Sequence, residues 1–118
     1  RLIIYRKLTS AISNRELKDV LYEIEDRYGS YPLEVKNLIN LLTIKIQSIS
    51  IGIIKINIQK KFIDLVFHKV NQNVSNTLLD MVQQNFIKMK SSKAIQIKNV
   101  EKDDLFYSIK LFYKKLGY

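Results

Sequence analysis

The stretch from Ser13 to Pro32 constrains the fold most, because it carries a helix pattern with signals at both ends. Ser13 and Glu16 have the spacing of a capping box, which begins a helix. Gly29 supplies the left-handed residue that often ends one. Apolar side chains between these signals recur at spacings of three and four, which predicts an amphipathic helix with one face against a core. They are Leu17, Val20, Leu21, Ile24 and Tyr28.

Helix patterns also precede and follow this stretch. Residues 2–12 are predicted to be helical from the spacing of their apolar side chains. Pro32 suits the first turn of a third helix, since its missing N–H would have no partner there. We expect this helix to run to about Ser50, although the isoleucine-rich residues 43–58 also alternate well enough for a strand. The apolar residues of the first helix are Leu2, Tyr5, Leu8 and Ile12.

The rest of the chain combines strand and helix patterns. A hairpin is predicted from two neighbouring strands, because a short polar turn separates them. The predicted strands are Ile53–Gln59, Phe62–Phe67 and Ala94–Lys98, and the predicted helices are Val74–Gln84 and Asp103–Leu116.

This order of elements indicates the α+β class: an N-terminal three-helix segment packed with a small, mostly antiparallel sheet and further helices. No linker rich in Gly, Ser or Pro divides the chain, so we expect a single domain over residues 1–118. The chain begins with Arg and shows no leader pattern, which leads us to expect a domain cut from a longer protein.

The composition excludes several kinds of chemistry. The chain has no cysteine, which rules out disulfides and cysteine-ligated zinc and fits a reducing cytoplasm. Its three glycines cannot form either common phosphate-binding motif. The one histidine, His68, has no nearby partner for nucleophilic catalysis or metal binding. We therefore expect no catalytic residue, metal site or cofactor here, and the apolar window at residues 33–58 is too polar for a bilayer span.

The net charge of +9 is unevenly distributed. Residues 1–34 hold six basic and six acidic side chains, whereas residues 35–118 hold fourteen basic and five acidic ones. Such an excess can attract nucleic acid, so a basic nucleic-acid-binding accessory module is one hypothesis. Codon usage rich in A and T would also produce this lysine content without selection for binding. The candidate nucleic-acid contacts are Lys60, Lys61, Lys88, Lys90 and Lys93.

Four carboxylates form a ridge on the second predicted helix, opposite its apolar face. Like charges at these spacings repel one another, so helix stability alone does not explain them. Glu16 and Asp19 lie near the positive end of the helix dipole, whereas Glu23 and Asp26 lie toward its negative end. We therefore predict a partner-binding ridge of Glu16, Asp19, Glu23 and Asp26. Glu23 and Asp26 are its main candidate contacts, whereas Glu16 and Asp19 could be structural. A solvated helix face is the competing interpretation, and an open convex helix does not suit catalysis.

The N-terminal half resembles the C-terminal domain of the bacterial transcription-repair coupling factors, the Mfd family. The matching residues run to about residue 56. They lie in the segments RLIIYRKL, NREL, EIEDRYGSYP and IGIIKI.

The resemblance implies a removable regulatory domain. In that family the domain packs on an N-terminal UvrB-like module, masks the surface that binds UvrA and restrains an ATP- and Mg-dependent DNA translocase. The resemblance further implies a parent protein that acts in nucleotide excision repair in the cytoplasm and binds RNA polymerase, DNA and UvrA. The family's acidic docking positions match Glu23 and Asp26.

Overall fold

A computed structural model describes residues 2–98, 100 and 105–118, apart from the side chains of Leu2 and Ile4. The chain divides into two compact units, Arg1–Ser50 and Ile51–Tyr118. Five helices and four strands occur in the described part. In chain order they are α1 Leu2–Ser10, α2 Asn14–Tyr28, α3 Leu33–Ile51, β1 Ile53–Ile58, β2 Ile63–Phe67, α4 Gln72–Gln83, β3 Ile87–Met89, β4 Ala94–Ile97 and α5 Leu105–Lys115.

The core of the first unit is a cluster of aliphatic side chains from three helices and the turn after α1. Half-buried residues such as Val20 and Leu21 pack against this cluster. Each fully buried leucine or isoleucine stabilises the unit by about 1.5–3 kcal/mol through removal from water. The cluster consists of Leu8, Ala11, Leu17, Ile24, Leu42 and Ile46.

The start of α2 confirms the predicted capping box. The Ser13 hydroxyl accepts a hydrogen bond from the backbone N–H of Glu16 at 3.1 Å. The Glu16 carboxylate reaches back and accepts from the N–H of Ile12 at 2.7 Å, one residue earlier than the usual capping box provides. Two N–H groups that the helix itself cannot satisfy therefore have partners.

The turn from α2 to α3 differs in detail from the prediction. Gly29 closes α2 with φ +77° and ψ −152°, a region essentially restricted to glycine and distinct from the left-handed helical one. Pro32 immediately precedes α3, and its carbonyl accepts from the N–H groups of Val35 and Lys36. The proline is therefore at the N-cap position, one residue before the predicted one.

Three apolar positions in this unit are more exposed than the helix pattern predicts. The first helix ends at Ser10 instead of residue 12, so Ile12 no longer follows the helical period and is 65% exposed. Ala11 is buried in its place. Tyr5 and Tyr28 are also exposed, because each lies at the rim of the core, where the tyrosine hydroxyl can remain in water.

The second unit contains an antiparallel sheet with the strand order β1-β2-β4-β3. The predicted hairpin is confirmed as β1 and β2, and a bulge at Ile54 shifts their register. The short strand β3 was not predicted, because three residues give too little alternation to recognise. Backbone pairing with β4 stabilises this strand. The α+β class is confirmed, and the sheet is antiparallel throughout.

One face of this sheet supplies the core of the second unit. Ile63, Leu65 and Phe67 of β2 alternate inward and are buried, as are the corresponding residues of β4. Phe67 meets Phe112 of α5 edge to face, with ring centroids 6.4 Å apart. Tyr113 of the same helix is buried as well. Asp103, the predicted first residue of this last helix, lies outside the described residues.

No helix in the described part of the chain is long and apolar enough to cross a membrane.

Replacing Gly29 tests the closing turn of α2. We predict that Gly29→Ala lowers the free energy of unfolding by about 1–3 kcal/mol, because a Cβ disfavours the backbone conformation that Gly29 adopts. No atom would contact that Cβ within 4 Å, so the loss is one of backbone conformation alone. Urea unfolding measures it. Ser30→Ala in the same turn is the control and should change stability little; equal effects of the two substitutions would contradict the prediction.

Candidate interaction surface on helix α2

The burial of one stripe of α2 determines which of its side chains face outward. Leu17 and Ile24 are 4% and 6% exposed and belong to the core cluster. Because these residues are two turns apart on one face, they fix the rotation of the helix about its axis. The carboxylates of the predicted ridge therefore lie on the side away from the core, and each of them has a different local environment.

Glu16 has a structural role at the start of α2. Its carboxylate is used in the hydrogen bond to the Ile12 N–H, which ties the turn after α1 to the helix. A carboxylate in the first turn is also favoured by the helix dipole. Local structure therefore accounts for this residue, as the sequence suggested.

Glu23 has a partner that the sequence did not reveal. Lys7 of α1 donates to both of its carboxylate oxygens, at 3.0 and 3.2 Å. Arg27, one turn further along α2, lies 3.8 Å from the same carboxylate. The hydrogen bond from Lys7, its charge, and the charge of Arg27 lower the pKa of Glu23 from 4.5. The expectation that local interactions leave Glu23 unexplained is therefore not met.

Asp19 and Asp26 are the members of the ridge that remain available. Both are exposed, and neither has a hydrogen bond or an ion pair with any residue that the structure describes. They are seven residues apart on the same side of α2, which separates them by about 10 Å along the helix. Two carboxylates without a partner among the described residues therefore point outward, with room for one large side chain between them.

Tyr22 occupies the position between these carboxylates. It lies three residues after Asp19 and four before Asp26, and it is 75% exposed. A tyrosine offers a large apolar surface with a hydroxyl that binds water or a partner, which is why tyrosine is enriched at protein interfaces. Sequence reasoning missed it, although an aromatic residue outside the apolar period of the helix was the available signal. We call Asp19, Tyr22 and Asp26 the docking face.

The five lysines proposed for nucleic acid do not form one patch. All five are exposed. Lys60 and Lys61 lie in the turn between β1 and β2, whereas Lys90 and Lys93 lie in the turn between β3 and β4. Because β2 and β4 are antiparallel and pair Ile63 with Ile97, these turns are at opposite ends of the sheet. Lys88 is between them on β3, and Lys90 lies 3.7 Å from Asp64.

No group of three or more histidine, aspartate or glutamate side chains that could hold a metal ion occurs among the described residues. His68 is exposed just after β2. What the fold and the α2 surface define is a small α+β domain with an outward-facing acidic helix.

Comparisons with known proteins identify the family. A family model described as the TRCF domain matches residues 1–79, two-thirds of the chain. The chain belongs to this family of domains from transcription-repair coupling factors. The match continues past residue 56, where the recognisable sequence motifs end, and includes the first hairpin and most of α4.

Individual relatives agree with this assignment. The transcription-repair-coupling factor of Staphylococcus aureus (strain USA300) is 31% identical over 77 residues, which are 64% of this chain and 7% of that protein. That of Staphylococcus epidermidis (strain ATCC 35984) is 33% identical over 63 residues, 53% of this chain and 5% of that protein. The chain thus corresponds to a small part of these relatives.

A solved structure extends the likeness in fold to nearly the whole chain. It is a crystal structure of the C-terminal domain of transcription-repair coupling factor. The two structures superpose with a TM-score of 0.71 over 98% of this chain and 78% of the other, at 18% sequence identity. The likeness in fold therefore extends beyond residue 79, where the family match ends, although the overall sequence identity is low.

The Lys7–Glu23 pair makes a direct prediction about pH. We predict that Lys7→Gln raises the pKa of Glu23, because the variant loses the hydrogen bond and the charge that now lower it. The lowered pKa means that the pair contributes stability above about 4.5, which is lost as the pH falls through the pKa of the folded state. The stability difference between the two proteins should therefore be present at neutral pH and shrink in acid.

NMR titration of the Glu23 side-chain carboxyl carbon measures this pKa directly. Lys18→Gln removes an equal charge from α2 without touching Glu23 and is the matched control. A Glu23 pKa that is the same in wild type and Lys7→Gln would show that the pair does not form in solution.

Proposed function

We propose that this domain is a non-catalytic, autoinhibitory interaction module of a transcription-repair coupling factor. Its docking face binds a basic surface on the N-terminal UvrB-like module of the parent protein. In that position it masks the UvrA-binding surface and restrains the DNA translocase. The observation that carries the proposal is a pair of carboxylates around an exposed tyrosine, neither of which has a partner in the described part of the chain, on a protein of net charge +9.

The side chains of the docking face suit a weak, reversible interaction. Partly exposed ion pairs contribute about 0.2–1 kcal/mol each, so Asp19 and Asp26 add little affinity by themselves. Tyr22, which is exposed in the isolated domain, becomes buried on docking and is the aromatic anchor at the centre of the interface. Together these contacts favour the closed state, in which the domain is docked on the N-terminal module, by a modest free energy. A second binding event, such as engagement of RNA polymerase, can overcome it.

The four carboxylates of the acidic ridge have different roles in this function. Asp26 matches a family docking position and is available, so it makes the principal ion pair. Glu23 matches the other family position but is already bound by Lys7, and a basic partner would have to share it with that lysine. Asp19 takes the second docking role, one turn before Tyr22. Glu16 contributes through the helix cap and not through direct contact.

ATP hydrolysis and DNA translocation would take place in other domains of the parent protein. ATP and Mg would bind the motor domains, and RNA polymerase, DNA and UvrA would be partners of the parent as a whole. The domain itself would form residues 1–118 as one regulatory part at the C-terminal side of the translocase, acting in nucleotide excision repair in the cytoplasm. The match to a C-terminal domain in fold supports this position.

The test is a triple substitution in the full-length parent protein: Asp19→Asn, Tyr22→Ala and Asp26→Asn. We expect severalfold tighter apparent binding of UvrA and a severalfold higher basal ATPase rate, because the closed state loses its two ion pairs and its aromatic anchor. Pull-down or fluorescence titration measures UvrA binding, and a coupled assay measures ATP hydrolysis without RNA polymerase.

Glu34→Gln is the matched control. Glu34 is an exposed carboxylate in the first turn of α3, outside the docking face, so its loss should leave both quantities unchanged. Comparison of Glu23→Gln with Asp26→Asn then ranks the two family positions, and Asp26→Asn should have the larger effect. A triple variant that is folded yet unchanged in both assays would overturn the proposal.

A further inference from the structure

The second unit has a sheet face that no core residue occupies. Side chains on β1, β2, β4 and β3 alternate between the buried face and this open one, and the strand register aligns them into rows. Its central strands present Asp64 and Val66 beside Gln96 and Ala94, all half-buried. Exposed lysines lie on both outer strands: Lys55 on β1, Lys88 on β3 and Lys90 just after β3.

The open face is cationic because Asp64, the one carboxylate among its described residues, already has hydrogen-bond partners. Asp64 accepts from the amide nitrogens of Gln59 at 2.6 Å and of Gln96 at 2.8 Å. Lys90 lies 3.7 Å from it and remains 45% exposed at its side chain. The positive charges of Lys55 and Lys88 have no counterpart among the described residues. A ligand of this face must therefore be anionic.

A shallow cavity of about 220 Å³ lies in the middle of the open face. Lys55 borders it on one side and Lys90 on the other, and Val66 and Ala94 form an apolar part of its floor. Three strand spacings separate β1 from β3, so the two lysine rows are about 14 Å apart. An α-helix with its side chains is about 10–12 Å across and fits between them.

We infer that the open face of the sheet binds an acidic amphipathic helix of a partner protein. A narrow apolar stripe of that helix rests on Val66 and Ala94. Carboxylates on its two flanks pair with Lys55 on one side and with Lys88 and Lys90 on the other. This site is separate from the docking face on α2 and does not depend on the function proposed for that face.

The composition of the face favours a polypeptide over nucleic acid. All basic residues from 51 to 118 are lysine, and the arginine that suits bidentate phosphate and base contacts is missing from this stretch of the sequence. The described lining of the cavity includes no aromatic ring on which a base could stack. An apolar floor flanked by cations matches an amphipathic helix better than it matches a continuous row of phosphates.

The experiment uses the 118-residue chain and three probes in low salt. The first is a fluorescein-labelled helical peptide of 18 residues with an Ala and Leu stripe flanked by glutamates. The second replaces those glutamates with glutamine, and the third is a 20-base-pair DNA duplex. Fluorescence anisotropy gives affinities, and shifts of backbone amide NMR signals locate the site. We expect the acidic peptide to bind and to shift signals of β1, β2, β4 and the β3–β4 turn.

Lysine variants then test the site itself. Lys55→Gln with Lys90→Gln should weaken peptide binding about three- to tenfold, because two ion pairs are lost. Lys60→Gln with Lys61→Gln removes the same charge at the other end of the sheet and should change binding less than twofold. Lys55→Arg with Lys90→Arg keeps the charge and should keep the affinity, which separates loss of contact from loss of folding.

Each remaining outcome would overturn the inference. Equal binding of the glutamine peptide would remove the role of charge. Equal effects of the two glutamine pairs would show that net charge, and not this face, attracts the peptide. Tighter binding of the duplex, with the same amide signals shifted, would assign the face to nucleic acid. Absence of peptide binding in low salt would leave no acidic-helix site.

Discussion

The structure of the first unit depends on the burial of Leu17 and Ile24 in the cluster built from three helices. An α-helix is a rigid cylinder, so once one stripe is fixed against a core the direction of every other side chain follows. Removal of these side chains from water is worth several times more than any exposed ion pair on the opposite side. The hydrophobic contact therefore positions the charged surface, and the charges themselves contribute little to the fold.

The carboxylates of α2 show how tertiary context sorts residues that look alike in sequence. Glu16 satisfies a backbone N–H and Glu23 is bound by Lys7, whereas Asp19 and Asp26 have no partner among the described residues. The same sorting occurs in the second unit, where Asp64 is held by two glutamine amides and a lysine. A count of acidic and basic residues cannot distinguish a neutralised charge from one available to a partner.

The two units consequently offer surfaces of opposite character. On α2, two aspartates surround an aromatic residue that is largely exposed. On the sheet, lysines on both outer strands surround a floor of small apolar side chains. Weak ion pairs around a compact apolar contact are a combination that binds specifically and still releases, which suits a module that must respond to other events in a larger machine.

Elements whose signals are local could be predicted from the residues of the chain alone. The helix from Asn14 to Tyr28 follows from its cap, its period and Gly29, and the hairpin follows from alternation around a short turn. Such signals depend on neighbours within a few residues and can be read from one chain. Family membership was recognisable for the same reason, because its motifs lie in these helices and turns.

Contacts between residues far apart in the chain could not be predicted and are seen only in the folded protein. Lys7 meets Glu23 sixteen residues later, and β3 forms only because β4 pairs with it. Among the lysines proposed for nucleic acid, Lys60 and Lys61 lie at the opposite end of the sheet from Lys90 and Lys93 because of the antiparallel register of β2 and β4. Such contacts arise from packing and strand pairing between distant segments, and no local pattern of residues encodes them.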